Sequence, residues 1–229
     1  MGTNHELSII IPALNAAPHL AATLTALSGA AAEVILADGG STDPTRAIAG
    51  AAGARIVLAP RGRGSQLAAG AAVATTPWLL LMHADTRPGQ GWQAAVAAFM
   101  ADPANAGRAA YFRFALDDPA PQARRLEGAV AWRCRLLALP YGDQGLLVRR
   151  DLLVAIGGIR PLPIMEDVDL VRRLGRARLV GLDIPFVTSA ERWRRDGWWG
   201  RSARNLGCLA LWFLGVSPAR IARLYARRR

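Results

Sequence analysis

Apolar residues recur along the first half of the chain in two alternating kinds of run. Short runs rich in β-formers occupy residues 7–11, 33–37, 55–58 and 78–82, and Ala/Leu-rich stretches of helical length lie near 18–28, 44–52 and 65–74. A short apolar run without polar alternation suits a strand covered on both faces. Four such repeats predict an α/β fold with a mostly parallel central sheet flanked by helices. Beyond residue 85 the rhythm loosens. A helix is expected at 92–100, a strand at 109–116 and a helix near 122–139, then a short strand and a helix carrying Leu170, Val171 and Leu174. Residues 198–229 read as two helices broken at Ser217-Pro218, because Ser caps a helix and Pro suits its first turn.

Ligands of such sheets bind beyond the C-terminal ends of the strands. The polar clusters fall there. The four runs lead in turn into Pro12-Ala13-Leu14-Asn15, Asp38-Gly39-Gly40-Ser41-Thr42-Asp43, Arg61-Gly62-Arg63-Gly64-Ser65-Gln66 and His83-Ala84-Asp85. Two glycines after Asp38 let a flat ring approach the main chain, so this carboxylate can meet a nucleobase or ribose. Asp43, just before Pro44, fits a helix cap better. Arg63 and its flanking glycines can meet phosphate oxygens, although a solvated basic loop accounts for the same residues. Taken alone, His83-Ala84-Asp85 reads as a loop with a capping acid; its position beside the other clusters places Asp85 to hold magnesium or manganese, which take one or two protein carboxylates and complete their shell with phosphate oxygens and water.

Further on, Glu166-Asp167 opens a helix, where capping is the ordinary use of acids. The apolar lead 161–165 brings the pair inward, and desolvation makes a carboxylate a better base toward a hydroxyl. Arg192-Trp193 joins a guanidinium to an aromatic face, suited to a diphosphate and a sugar or lipid acceptor; core packing explains Trp193 equally well.

At 229 residues and 52% hydrophobic, the chain can bury one sizeable core. The expected division is one catalytic domain, 1–197, with a helical appendage, 198–229. Cys134 and Cys208 match no metal-ligand or redox spacing and suit reduced thiols of a cytoplasmic protein. The first apolar run stops at Pro12, too soon for a signal-peptide core, and the stretch 206–216 falls short of the ~20 residues of a spanning helix.

Every basic side chain that makes up the formal charge of +11 is Arg, in a chain rich in Ala, which points to codon bias. The excess is uneven: from Glu191 onward there are 10 Arg against 2 acids, a net +8 that leaves +3 for the rest. This end can dock on anionic lipid at the inner face of the membrane and bring in a lipid-linked acceptor. Packing on the domain, or a homodimer, accounts for the helix equally well. Basic and aromatic residues do not interleave on a strand face, which argues against a nucleic-acid module.

With these residues in hand, the chain resembles family 2 of the glycosyltransferases, and most closely its small bacterial subgroup called radical-SAM/selenodomain-associated transferase 2. The likeness runs from residues 8–15 through 37–43, 62–66, 83–86, Gly142-Asp143-Gln144-Gly145 and Met165-Glu166-Asp167 to 189–193. It implies a GT-A fold in which Pro12, Ala13, Asn15, Asp38, Gly39, Gly40, Arg63, Gln66 and Ala84 line a UDP- or GDP-sugar pocket. By the same likeness Asp85 holds a divalent cation, and Asp143, Gln144, Arg192 and Trp193 face acceptor or diphosphate. Asp167, paired with Glu166, stands where the family has its catalytic base, so inverting transfer is implied. His83 replaces the first aspartate of the family's DxD motif, and Gly40 replaces a second acid usual after Asp38. A nucleotidyltransferase shares a similar sheet but opens with a Gly-rich basic loop after its first strand, where this chain has residues 12–15.

Overall fold

The first apolar run becomes the middle of a sheet. The computed structural model describes residues 4–226. Its elements run β1 (Asn4–Ala13), α1 (Ala17–Leu27), β2 (Ala31–Asp38), α2 (Thr45–Ala51), β3 (Arg55–Leu58), α3 (Arg63–Val73), β4 (Trp78–Leu81), β5 (Thr86–Pro88) and α4 (Trp92–Ala101). They continue with β6 (Ala109–Leu116), α5 (Pro121–Leu137), β7 (Leu146–Arg149), α6 (Arg150–Ala155), α7 (Glu166–Leu174), β8 (Leu179–Thr188), α8 (Glu191–Asp196), α9 (Trp198–Phe213) and α10 (Pro218–Ala226). These strands form one sheet in the order β3-β2-β1-β4-β7-β6-β8-β5.

The four expected strands correspond to β1 to β4, the first with an extension of several residues and the fourth ending at Leu81, one residue short of its expected run, and they are parallel to one another. Ile9, Ile10 and Ile11 are fully buried because helices cover both faces. Ile9 and Ile11 pack with Leu20 and Trp78 on one side, and Ile10 packs with Leu67 and Leu79 on the other. The C-terminal half supplies the antiparallel part: β7 runs against both β4 and β6, and β5 against β8, while β6 and β8 are parallel. The sheet is therefore mixed, with parallel pairs in the majority. β5 has three residues and ends in Pro88, too short for any periodicity to reveal. β8 slips register between its pairings with Phe112 and Arg113, an irregularity that blurs strand alternation.

The segment after residue 197 is not set apart from the sheet domain. Cys208 and Leu209 of α9 and Ile221 of α10 share a buried cluster with Met165, Val168 and Val171, so these helices pack against α7. Among the described residues no helix is long and apolar enough to cross a membrane.

Close approach of α3 to β1 sets how tightly the sheet is covered. A Cβ at Gly70 would stand 2.5 Å from Ile10 Cγ2. Alanine favours a helix over glycine by about 1 kcal/mol, but overpacking a fixed core costs about 1–3 kcal/mol. Gly70→Ala is therefore expected to lower the urea midpoint of unfolding; a raised midpoint would show that propensity outweighs the contact.

Candidate active site

Three loops at the C-terminal edge of the parallel strands are tied to each other by polar contacts. Ala13 C=O accepts the Gly39 N–H at 2.9 Å and the Gln66 Nε2 donor at 2.5 Å, and the same amide reaches Ala37 C=O at 2.9 Å. Asn15 takes the left-handed conformation at φ 51°. Its Oδ1 accepts from Thr42 N–H at 2.9 Å, and its own N–H donates to Ser41 Oγ at 2.9 Å. Asp43 accepts from the N–H groups of Ala17 and Thr45, the first residues of α1 and α2, which agrees with a capping use. The hydroxyl of Thr45 does most to hold its carboxyl below the usual range.

Several residues expected to face the nucleotide instead shape the pocket from beneath. Asp38 is fully buried, and its oxygens accept from Gly40 N–H, Ser41 N–H and Ser41 Oγ. Gln66 is buried with its amide donors taken by strand-end carbonyls. Pro12, Ala13 and Ala84 are also buried, whereas Gly39 is half-buried and Gly40 and Asn15 are exposed. The backbone at Gly39, Gly40 and Asn15 is thus the accessible rim.

Across the edge, acidic and basic groups gather around α7. Glu166 is 2% exposed, and its Oε1 lies 2.7 Å from Arg63 Nε. Its Oε2 is buried without a partner. Burial pushes the Glu166 carboxyl upward against the pull of Arg63, and Glu166 in turn raises Arg63 above the usual guanidinium range. Asp167 is held differently. Its Oδ2 accepts the Gly142 N–H at 2.9 Å, and its Oδ1 accepts the N–H of Val168 at 2.8 Å.

Gly142 leaves room for this approach. A Cβ there would sit 2.7 Å from His83 Nε2 and 3.5 Å from Asp167 Oδ2. His83 is drawn down to about 4, first by burial and then by Arg63, whose Nη1 lies 3.4 Å away. It is neutral at pH 7. The charges of Asp85 and Asp167 both act on His83, and both act on Asp143. These groups therefore border one region. An apolar cleft with Met82, Tyr141, Ile159 and Leu170 in its walls also admits His83, Glu166 and Asp167.

Two residues expected at the acceptor or diphosphate are corrected to the interior. Gln144 is buried; its Nε2 donates to Phe112 C=O at 2.9 Å, and its Oε1 accepts from Tyr141 N–H, Arg133 and the Cys134 thiol. Trp193 is buried beside Phe114, with Arg201 4.9 Å from the ring centre. Motif order places these side chains in the right neighbourhood, but packing turns them away from it. Arg192 stays exposed, 3.9 Å from Asp85 Oδ2. Gly142 lies in a motif of the likeness without a role assigned to it, and the Arg133 contact had no signal in the sequence: Arg133 stacks over the Tyr141 ring at 3.4 Å, a contact between helix and loop that spacing does not show.

Residues 8–160 match the sequence profile of glycosyl transferase family 2. The chain belongs to that family. An uncharacterized glycosyltransferase of Mycobacterium tuberculosis, and its counterpart in Mycobacterium bovis, are each 38% identical over 80 residues. That stretch covers 34% of this chain and 36% of theirs, so the match spans about a third of the relatives' length. Among solved structures, Mycobacterium tuberculosis glucosyl-3-phosphoglycerate synthase with Mn2+ and UDP-glucose superposes at a TM-score of 0.59 with 20% identity, over 80% of this chain and 70% of that one. Staphylococcus aureus TarS 1–349 gives 0.64 with 15% identity, over 81% and 60%. Both share the fold, a GT-A sheet with helices after it. Among the described residues of this family 2 chain, no three His, Cys, Asp or Glu side chains are grouped to hold a metal ion by themselves.

Asp143 gives the site a pH signature. Its Oδ1 is buried without a partner, and burial raises its carboxyl to about 6. The folded state thus holds this proton more tightly than the unfolded chain. The resulting stability is present at low pH and is lost as pH rises from the ordinary carboxylate range through about 6. Asp143→Asn should match the wild type near pH 4 and exceed it near pH 7 in urea midpoint. The same difference at both pH values would exclude Asp143 as the titrating group.

Proposed function

We propose that this family 2 chain transfers a glycosyl group, with inversion, from a UDP- or GDP-linked sugar to an acceptor hydroxyl, assisted by a divalent cation. The observation that carries this reading is the Asp167 carboxylate. It borders the cleft shared with His83 and Glu166, and a 2.9 Å hydrogen bond from Gly142 fixes its orientation.

In the proposed reaction Asp167 receives the acceptor's proton as that oxygen bonds to the anomeric carbon. The bond from that carbon to the diphosphate oxygen breaks, and its electron pair leaves on the diphosphate. Arg63 and Arg192 supply guanidinium charge at the region where that group departs. Glu166 anchors Arg63, and the accessible backbone carbonyls at Gly39, Gly40 and Asn15, whose N–H groups are already engaged within the loops, offer acceptors to the nucleotide.

The donor set suits a hard cation. Magnesium or manganese needs only one or two carboxylates when phosphates and water complete the shell. Asp85 supplies one, and neutral His83 adds no positive charge against the ion. A cation held at Asp85 would neutralise the diphosphate and make it a better leaving group. Glucosyl-3-phosphoglycerate synthase, solved with Mn2+ and UDP-glucose, supports the same donor and metal here. The motif order also supports the radical-SAM/selenodomain-associated subgroup, and the buried free thiols Cys134 and Cys208 support a reducing, cytoplasmic setting.

Manganese together with UDP or GDP should raise the thermal midpoint; stabilisation by nucleoside triphosphates alone would favour nucleotidyl transfer instead. Asp167→Asn should abolish turnover, by about 10³-fold or more, while nucleotide affinity stays near wild type. Asp85→Ala should lose the manganese-dependent part of nucleotide binding. Wild-type turnover in Asp167→Asn would remove it as the base.

A further inference from the structure

α9 has two unlike faces. One is buried with α7 through Cys208 and Leu209. On the other, Trp199, Leu206, Phe213 and, just past the helix end, Leu214 are 69%, 63%, 49% and 78% exposed. The exposed Ala203 and Ala210 fill the gaps. Positions 199, 203, 206, 210 and 213 recur at helical spacing, so they draw one uncharged stripe about 21 Å long. A continuous apolar patch of this kind on a protein surface marks a contact with something else.

Charge indicates what that contact is. From residue 197 onward the sequence has seven Arg and no Asp or Glu. The nearest acid, Asp196, is already engaged by Arg195, Arg201 and Arg204. A second copy on the stripe would bring two sets of arginines together with no acid among them to offset the repulsion. An anionic lipid surface offers both phases at once, acyl chains for Trp, Leu and Phe and phosphates for Arg.

We propose that α9 and α10 dock the protein on an anionic lipid bilayer. Trp199, Leu206, Phe213 and Leu214 enter the headgroup and acyl boundary, and the exposed Arg220 and Arg223 of α10 meet headgroup phosphates. The docked face also touches α7, the helix that opens with the candidate base. The Arg172 guanidinium lies 5.3 Å from the centre of the Phe213 ring, and Arg172 follows Asp167 on α7 by five residues, about 7.5 Å of helix rise.

The test is co-sedimentation of the full chain with phosphatidylglycerol vesicles against phosphatidylcholine vesicles, a readout independent of glycosyl transfer. The wild type should bind the anionic vesicles at least about tenfold more tightly. Leu206→Glu/Phe213→Glu should lose at least about tenfold of that affinity with its thermal midpoint unchanged, and Trp199→Glu, also at an exposed position, provides a second variant. Three results overturn the proposal: equal binding to both vesicles, variants that bind as the wild type does, or a dimer dispersed by these substitutions in a chain that ignores vesicles.

Discussion

The contact on which the site most depends is the ion pair between Arg63 Nε and Glu166 Oε1 at 2.7 Å. It joins the first residue of α3, from the parallel half of the sheet, to the first residue of α7, from the mixed half. Burying a carboxylate is expensive unless a partner compensates it, so each half makes the other's conformation worthwhile. The backbone closes the same seam. A Cβ at Gly64 would lie 2.4 Å from Arg160 C=O and 2.6 Å from Leu162 N, so α3 rests directly on the segment that leads into α7.

This seam also explains a strained residue. Met165, immediately before α7, has φ 64°, a conformation that costs a non-glycine residue about 1–2 kcal/mol. Such strain persists only where the surroundings over-determine it. Here the Arg63 pair holds Glu166, the Gly142 N–H holds Asp167, and the Met165 side chain is packed with Cys208, Leu209 and Ile221. The candidate base is thereby aimed by three independent contacts, one of which comes from the C-terminal helices.

The parallel half was legible because its strands are buried on both faces, which leaves continuous apolar runs and puts the polar residues at strand ends. The edge position of residues 12–15, 38–43, 61–66 and 83–85 follows from that pattern alone. Side-chain direction did not. Gln66, Gln144 and Trp193 sit in the right neighbourhood, in α3, in a 3-10 turn and in α8, but satisfy carbonyls or fill the core, because the elements around a pocket must also be held in place. The Gly142 contact to Asp167 joins residues 25 apart through a single turn of 3-10 helix at Gly142–Gln144, where no period repeats. β5, with three residues, left no trace either.

A boundary drawn at residue 197 on composition separates what packing unites. Arginine content marks the last helices as different, and their outer surface is different, yet their inner surface is part of the wall behind α7. The two properties belong to opposite faces of one helix, which is why a linear reading saw either a packing helix or a docking helix. Because Cys208 and Leu209 bury the face that supports Met165, the stripe from Trp199 to Phe213 cannot turn inward without undoing the support of the candidate base. What α9 exposes is therefore fixed by what α7 needs, and the outward apolar stripe follows from the construction of the site.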